Sequence, residues 1–305
     1  MAHLAVWLMA AASVGAPCPE GALAVTVDPA HLAPGEPLRA TVHQVDPGAQ
    51  VKGVFLGREL AFLHGPRVTD RVAFAGVDLQ AQPGRYPLVI RVYGKMGVCR
   101  EQTVDLRVAP REFPIEQLKV APRYVHPPPE VSRRIEQEAA LLQSLWKRAT
   151  PAVLFDGRVV RPFPGVAGRN FGRRRVFNGE ARSPHAGVDL SAPEGEPVPA
   201  SASGRVILAR EFYYSGNLVV LDHGGSVYTL YAHLSSMAVQ EGEDVEAGEP
   251  IGRVGATGRV TGPHLHWGAH VGGARVDPAA LLKLLSTGDA EGLSEGPAGR
   301  SARRR

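Results

Sequence analysis

Long apolar runs, a strong net charge and phosphate-loop glycines are all scarce or missing from this 305-residue chain, and each absence closes a class of function. No segment offers the ~20 consecutive apolar residues that a membrane-spanning helix needs. The formal net charge is only +4, so a strong polyanion-binding role, nucleic acid included, is not indicated. Much of that excess sits in Arg173, Arg174 and Arg175 and in Arg303, Arg304 and Arg305; the last three read as a solvated tail. Gly252, Gly255 and Gly258 lack both the Gly-Lys-Ser/Thr ending and the G-x-G-x-x-G spacing. That excludes a nucleotide loop and leaves β-turns. Cysteine is nearly absent: Cys18 and Cys99 are the only two.

What is plentiful is glycine (35) and proline (26), which favours many short strands joined by tight turns. The first residues, MAHLAVWLMAAASVGA, form an apolar run ending in small residues, too short to span a bilayer. Residues 1–17 therefore read as a secretory signal, although no Lys or Arg precedes the run. The expected location is the periplasm or cell envelope, or the medium after secretion. Gly15 and Pro17 sit badly for lipidation of Cys18. In an exported chain, an even cysteine pair points to a disulfide, which would contribute roughly 2–4 kcal/mol by closing a long loop; two unpaired thiols are the alternative.

Residues 18–110 show period-two alternation: Leu23, Val25, Val27; Leu38, Ala40, Val42; Tyr86, Leu88, Ile90, Val92; Val104, Leu106, Val108. Turn signals such as Pro34-Gly35, Pro47-Gly48 and Pro83-Gly84 separate them. This is the pattern of a small immunoglobulin-like β-sandwich. No ligand constellation occurs in it, so a spacer or binding module is expected. Residues 111–150 read as a linker with one amphipathic helix, Glu130 to Arg148, striped by Ile135, Ala139, Leu142, Leu145 and Trp146. It opens after Pro127-Pro128-Pro129 and ends before Thr150-Pro151. Either it packs across the two flanking units or it merely connects them. Strands return over 151–286, at Gly204–Ile207, Asn217–Leu221, Val227–Ala232, Ile251–Val254 and Leu265–His270, with Gly224-Gly225 as a hairpin signal. Residues 287–305 lack periodicity and read as a disordered basic tail.

Chemistry concentrates in three segments: SPHAGVDLSAP, YTLYAHLSS and TGPHLHWGAH. Two histidines and one carboxylate make a three-ligand zinc site with a free fourth position for water. His185 and Asp189 on a straight strand would lie roughly 13 Å apart, so the segment must bend, and Gly187 is the residue expected to permit it. His264 and His266 share one face of a strand, with Leu265 and Trp267 on the other. His233 ends a strand whose Val227, Thr229 and Tyr231 are expected to share its face. With a pKa near neutrality, it would move the water's proton. His223, in Asp222-His223-Gly224-Gly225, reads as a turn or solvent residue, and His270 lies too far along its strand to be a ligand. Arg173 and Arg175 either grip a substrate carboxylate or form a solvated basic strand.

FGRRRVFNGEARSPHAGVDL, SGRVILAREFYYSGNLVVLDHG, YAHL and GRVGATGRVTGPHLHWGAH together closely resemble the lysostaphin-type (LytM-like) zinc metallopeptidases over roughly Phe171 to Leu282. The resemblance implies a mainly β chain with a C-terminal antiparallel sheet groove, one Zn2+ held by His185, Asp189 and His266, and catalytic roles for His233 and His264. It implies a zinc-dependent endopeptidase hydrolysing peptidoglycan stem peptides or cross-bridges, with D-alanyl-diaminopimelate cross-links favoured over glycine bridges. The competing readings are a cell-wall-binding regulatory protein with a groove but little catalysis, and a zinc hydrolase for another peptide or small amide.

Overall fold

The computed structural model describes residues 22–94, 97–148, 150–163 and 170–286. The expected signal (1–17), Cys18 and the basic tail (287–305) lie outside the described residues. Cys99 is disulfide-bonded.

The alternation read over the N-terminal third produces eight strands: β1 Ala24–Asp28, β2 Pro37–His43, β3 Gln50–Phe55, β4 Arg58–Ala61, β5 Leu63–His64, β6 Arg71–Gly76, β7 Gly84–Gly94 and β8 Gly97–Val108. They form two four-stranded antiparallel sheets, ordered β1-β2-β6-β5 and β4-β3-β7-β8. Leu38, Ala40 and Val42 of one sheet pack with Leu88, Ile90 and Val92 of the other in a single apolar core. The two sheets are therefore stacked face to face.

After β9 (Ile115–Leu118) comes α1, Pro129–Leu145, with Pro128 at its N-cap and Pro129 opening the first turn. It stops three residues short of the predicted Arg148. Trp146 leaves the helix to stack on His270, ring centroids 4.1 Å apart and 10° from parallel. α1 packs on the C-terminal sheet, where Leu145 joins Leu208, Phe212, Leu218 and Val220.

The C-terminal half continues with β10 Arg174–Phe177, β11 Glu180–Ala181, β12 Gly187–Leu190, β13 Pro197–Pro199, β14 Gly204–Phe212, β15 Gly216–Asp222 and β16 Val227–Leu234. Then follow β17 Ser236–Met237, β18 Asp244–Val245, β19 Pro250–Arg253, β20 Leu265–Val271, β21 Ala274–Val276 and α2 Pro278–Ser286. The principal sheet runs β12-β20-β16-β15-β14-β18, with β21 beside β20, and its pairings are antiparallel. Its core face carries Trp267, Tyr231, Val219 and Leu265. The two halves share a further core, in which Val72 and Phe74 meet Phe155, Val271 and Val276. Arg275 clamps Asp78 through Nη2 and Nε at 2.7 and 3.0 Å. Among the described residues, no helix is long and apolar enough to cross a membrane.

His270 and His223 are buried under this sheet, and burial holds both below the ordinary imidazole range, His270 at about 3. Both are neutral above pH ~6.5 in folded and unfolded chains alike. Below that, the unfolded chain takes up protons that the folded one refuses. Stability is thus expected to fall by about 1.4 kcal/mol per pH unit for each such histidine until its folded pKa is reached. Urea unfolding at pH 7.5 and 5.0 checks this. His270→Phe, which keeps a ring on Trp146 without titrating, should flatten the slope by about one histidine's share.

Candidate metal centre

Strands β12 and β20 pair so that Asp189 lies directly opposite His266. His185, two residues before β12, turns back onto the same point. Its Nε2 is 2.9 Å from His266 Nδ1 and 3.0 Å from Asp189 Oδ1, and the third edge, His266 Nδ1 to Asp189 Oδ1, is 2.8 Å. These three residues form the one group of potential metal donors found among the described residues. Gly187 serves the site, though for a different reason from the one predicted. Its backbone is not left-handed; instead, a Cβ there would lie 2.5 Å from the Trp267 carbonyl and 2.9 Å from the His266 ring. The glycine is needed for close approach.

The tautomers follow from the partners. A carbonyl oxygen only accepts, so His185 Nδ1, 2.9 Å from Asn170 O, must carry the proton. Burial lowers the His185 pKa to about 4, which leaves it neutral at pH 7 with an Nε2 lone pair facing a carboxylate oxygen. Two acceptors at 3.0 Å repel unless a cation lies between them. Burial alone would raise the Asp189 carboxyl, but the imidazoles of His185 and His266 beside it hold it well below the usual carboxylate range. Its other oxygen is engaged by Arg175 Nη2 at 2.9 Å and Asn170 Nδ2 at 3.1 Å, which leaves Oδ1 turned toward the imidazoles. Two imidazole nitrogens and a carboxylate oxygen, all within bonding reach of one ion, are a donor set suited to zinc.

The other two predicted histidines line the same groove. His264 Nδ1 donates to Gly262 O at 2.8 Å and His233 Nδ1 donates to Thr257 O at 2.8 Å, so each keeps its Nε2 lone pair. The His264 Nε2 is 3.7 Å from Asp189 Oδ1. The His233 ring stands 4.9 Å from that of His264 and 5.9 Å from that of His266. Strict alternation misplaces His233, however. Thr229 and Tyr231 belong to the core face, with the Tyr231 hydroxyl accepting Ser201 N–H. Between Tyr231 and Leu234 the ladder takes an extra residue, since Val219 pairs Tyr231 and Asn217 pairs Leu234. His233 adopts φ +66° at that bulge, and the twist carries its ring out of the core into the groove. Burial, then the charges of His266 and His264, lower it to about 3, below the near-neutral value expected of it.

Neither arginine is free in the sense expected. Arg173 pairs with Glu116 at 3.1 Å, and Arg175 bridges Glu116 at 3.5 Å and Asp189 at 2.9 Å. Glu116 belongs to β9, which pairs in parallel with β10 and contributes one wall of the groove. His223 is also corrected: it is fully buried, with Nδ1 donating to Ser203 O and Nε2 2.7 Å from Thr229 Oγ1. Sequence reasoning missed Asn170, Thr257 and Glu116. Asn170 holds His185 and Asp189, Thr257 holds His233, and Glu116 holds Arg173 and Arg175, through contacts 15 to 59 residues distant in the chain, for which spacing carries no signal.

Residues 183–278 match the family model described as Peptidase family M23. Among curated proteins, the peptidoglycan DD-endopeptidase ShyA of Vibrio cholerae is 45% identical over 109 residues, 35% of this chain and 25% of that protein. The DD-carboxypeptidase/endopeptidase Mpg of Neisseria meningitidis is 47% identical over 97 residues, 32% of this chain and 22% of that protein. The aligned region thus spans about a quarter of these relatives' length. Among solved structures, a Pseudomonas aeruginosa protein described as a peptidase M23 superposes with a TM-score of 0.60 at 28% identity, covering 79% of this chain and 96% of that one.

Proposed function

We propose, for a chain that carries a Peptidase family M23 domain over residues 183–278, a zinc-dependent endopeptidase that hydrolyses peptide cross-links of bacterial peptidoglycan in the cell envelope. The observation that carries this reading is the donor triangle of His185, Asp189 and His266, with His233 and His264 beside it in one groove. The names of ShyA and Mpg supply the substrate class.

In this reading His185, Asp189 and His266 hold the ion, which when bound lowers the pKa of a water and polarises the scissile carbonyl. His233 and His264 do the proton work. Each is locked by its Nδ1–H, so each offers Nε2 as an acceptor. One Nε2 takes the attacking water's proton and returns it to the leaving amine nitrogen; the other accepts that water's second O–H and so aims it at the carbonyl. Arg175 and Asn170 fix the rotamer of Asp189. Residues 18–110 are read as an immunoglobulin-like module that carries this catalytic domain (151–286) through the linker 111–150.

The test is digestion of purified sacculi. The full chain should release uncross-linked muropeptides, lose that activity on treatment with a chelator, and regain it when zinc is restored. Binding to the wall without any cleavage, with zinc present, would sink the reading.

A further inference from the structure

The groove holds two arginines, and one of them has no counter-ion. Arg175 is spent on Glu116 and Asp189. Arg259, from the loop that leads to His264, lies with its guanidinium over two rings, 4.7 Å from the Phe177 centroid and 4.5 Å from that of Tyr214. It lines the same groove as His233 and His264, and Arg175 reaches the same Phe177 ring at 6.0 Å. Its backbone N–H donates to Tyr214 O at 2.8 Å. Among the described residues, its side chain forms neither an ion pair nor a hydrogen bond, and the guanidiniums of Arg175 and Arg182 disfavour its charge.

This arrangement is specific in its chemistry. Two rings packed against a guanidinium supply cation–π attraction and help to fix its position. The N–H donors lie in the guanidinium plane, so stacking leaves them open to a planar acceptor approaching edge-on. Arginine stays protonated through any ordinary pKa change, so its partial burial near two other guanidiniums costs free energy that an anion would offset. Carboxylate matches the fork in shape and charge.

We propose that Arg259 is the specificity residue of this groove, binding a free carboxylate carried by the peptide substrate close to the scissile amide. The inference rests on the peptidase reading for the identity of the ligand as a peptide.

The test separates the two. Two cross-linked peptide dimers serve as probes, one with free carboxylates and one with those carboxylates converted to carboxamides. Their dissociation constants are measured calorimetrically in zinc-loaded protein carrying His264→Ala, so that turnover plays no part. The acidic dimer should bind about 10- to 100-fold more tightly than the amidated one, as a charge-assisted bond provides. Adding Arg259→Gln should erase that difference by weakening the acidic dimer alone, and Arg259→Lys should restore part of it. Equal weakening of both dimers would mark Arg259 as a brace for its loop. That result, equal affinities in the parent protein, or no binding of either dimer, overturns the proposal. Discrimination by binding without cleavage of sacculi would leave Arg259 in place and remove the endopeptidase reading instead.

Discussion

Asp189→Ala should strip the chain of its metal and its activity together. The side chain has two separate tasks. Its Oδ1 is a corner of the donor triangle, 2.8 Å from His266 Nδ1 and 3.0 Å from His185 Nε2. Its Oδ2 neutralises Arg175, whose side chain is only 16% exposed. Truncation removes a donor and also leaves a cation beside the site with Glu116 as its remaining partner. Metal content should drop from about one ion per chain to a small fraction, and hydrolysis by on the order of 10³-fold or more. Metal analysis after dialysis, alongside sacculus digestion, checks both. An Asp189→Ala protein that kept its full zinc would show that the triangle is not the metal site.

His264→Ala and His233→Asn should give the opposite dissociation: metal retained, turnover lost by about 10²- to 10⁴-fold. Neither imidazole is a corner of the triangle. Asparagine is the replacement at 233 because that residue sits at φ +66°, a conformation asparagine tolerates far better than alanine. Strain from the substitution is thereby kept apart from loss of the imidazole. Zinc loss in these variants equal to that of Asp189→Ala would overturn the division into holders and proton carriers.

These predictions also mark how far the sequence could be read. The strands of the main sheet were legible as short apolar runs between turn signals, since β15 and β16 are buried along almost their whole length; at the start of β20, Leu265 and Trp267 face the core while His264 and His266 face the groove. The three triangle residues were legible through the family resemblance: His-x-x-x-Asp and His-x-His are each weak alone, and their spacing leaves open which of His264 and His266 is the ligand. His233 was legible by residue but not by route: alternation assigns it to the core, and only an extra residue in the ladder, set by pairing with β15, brings it out. The partners of Arg173 and Arg175 were invisible for a related reason. Glu116 reaches them through a parallel strand pairing between segments nearly sixty residues apart, and local pattern says nothing of such a pairing. Gly187 shows a subtler miss, since a glycine kept for clearance looks the same in sequence as one kept for a turn.

Strand β9 precedes α1, yet it walls the groove that later residues build. Asn178 exchanges two hydrogen bonds with Val120, and the Tyr124 hydroxyl donates to Gly258 O at 2.6 Å, so this stretch is sewn to both banks of the cleft. Excising the catalytic portion by starting a polypeptide at residue 150 would therefore unpick a seam: Arg173 and the Glu116 side of Arg175 would lose their anion, and the channel would gape on that flank. Any comparison of the isolated fragment with the intact chain measures a remodelled cleft, with a different width and a different charge.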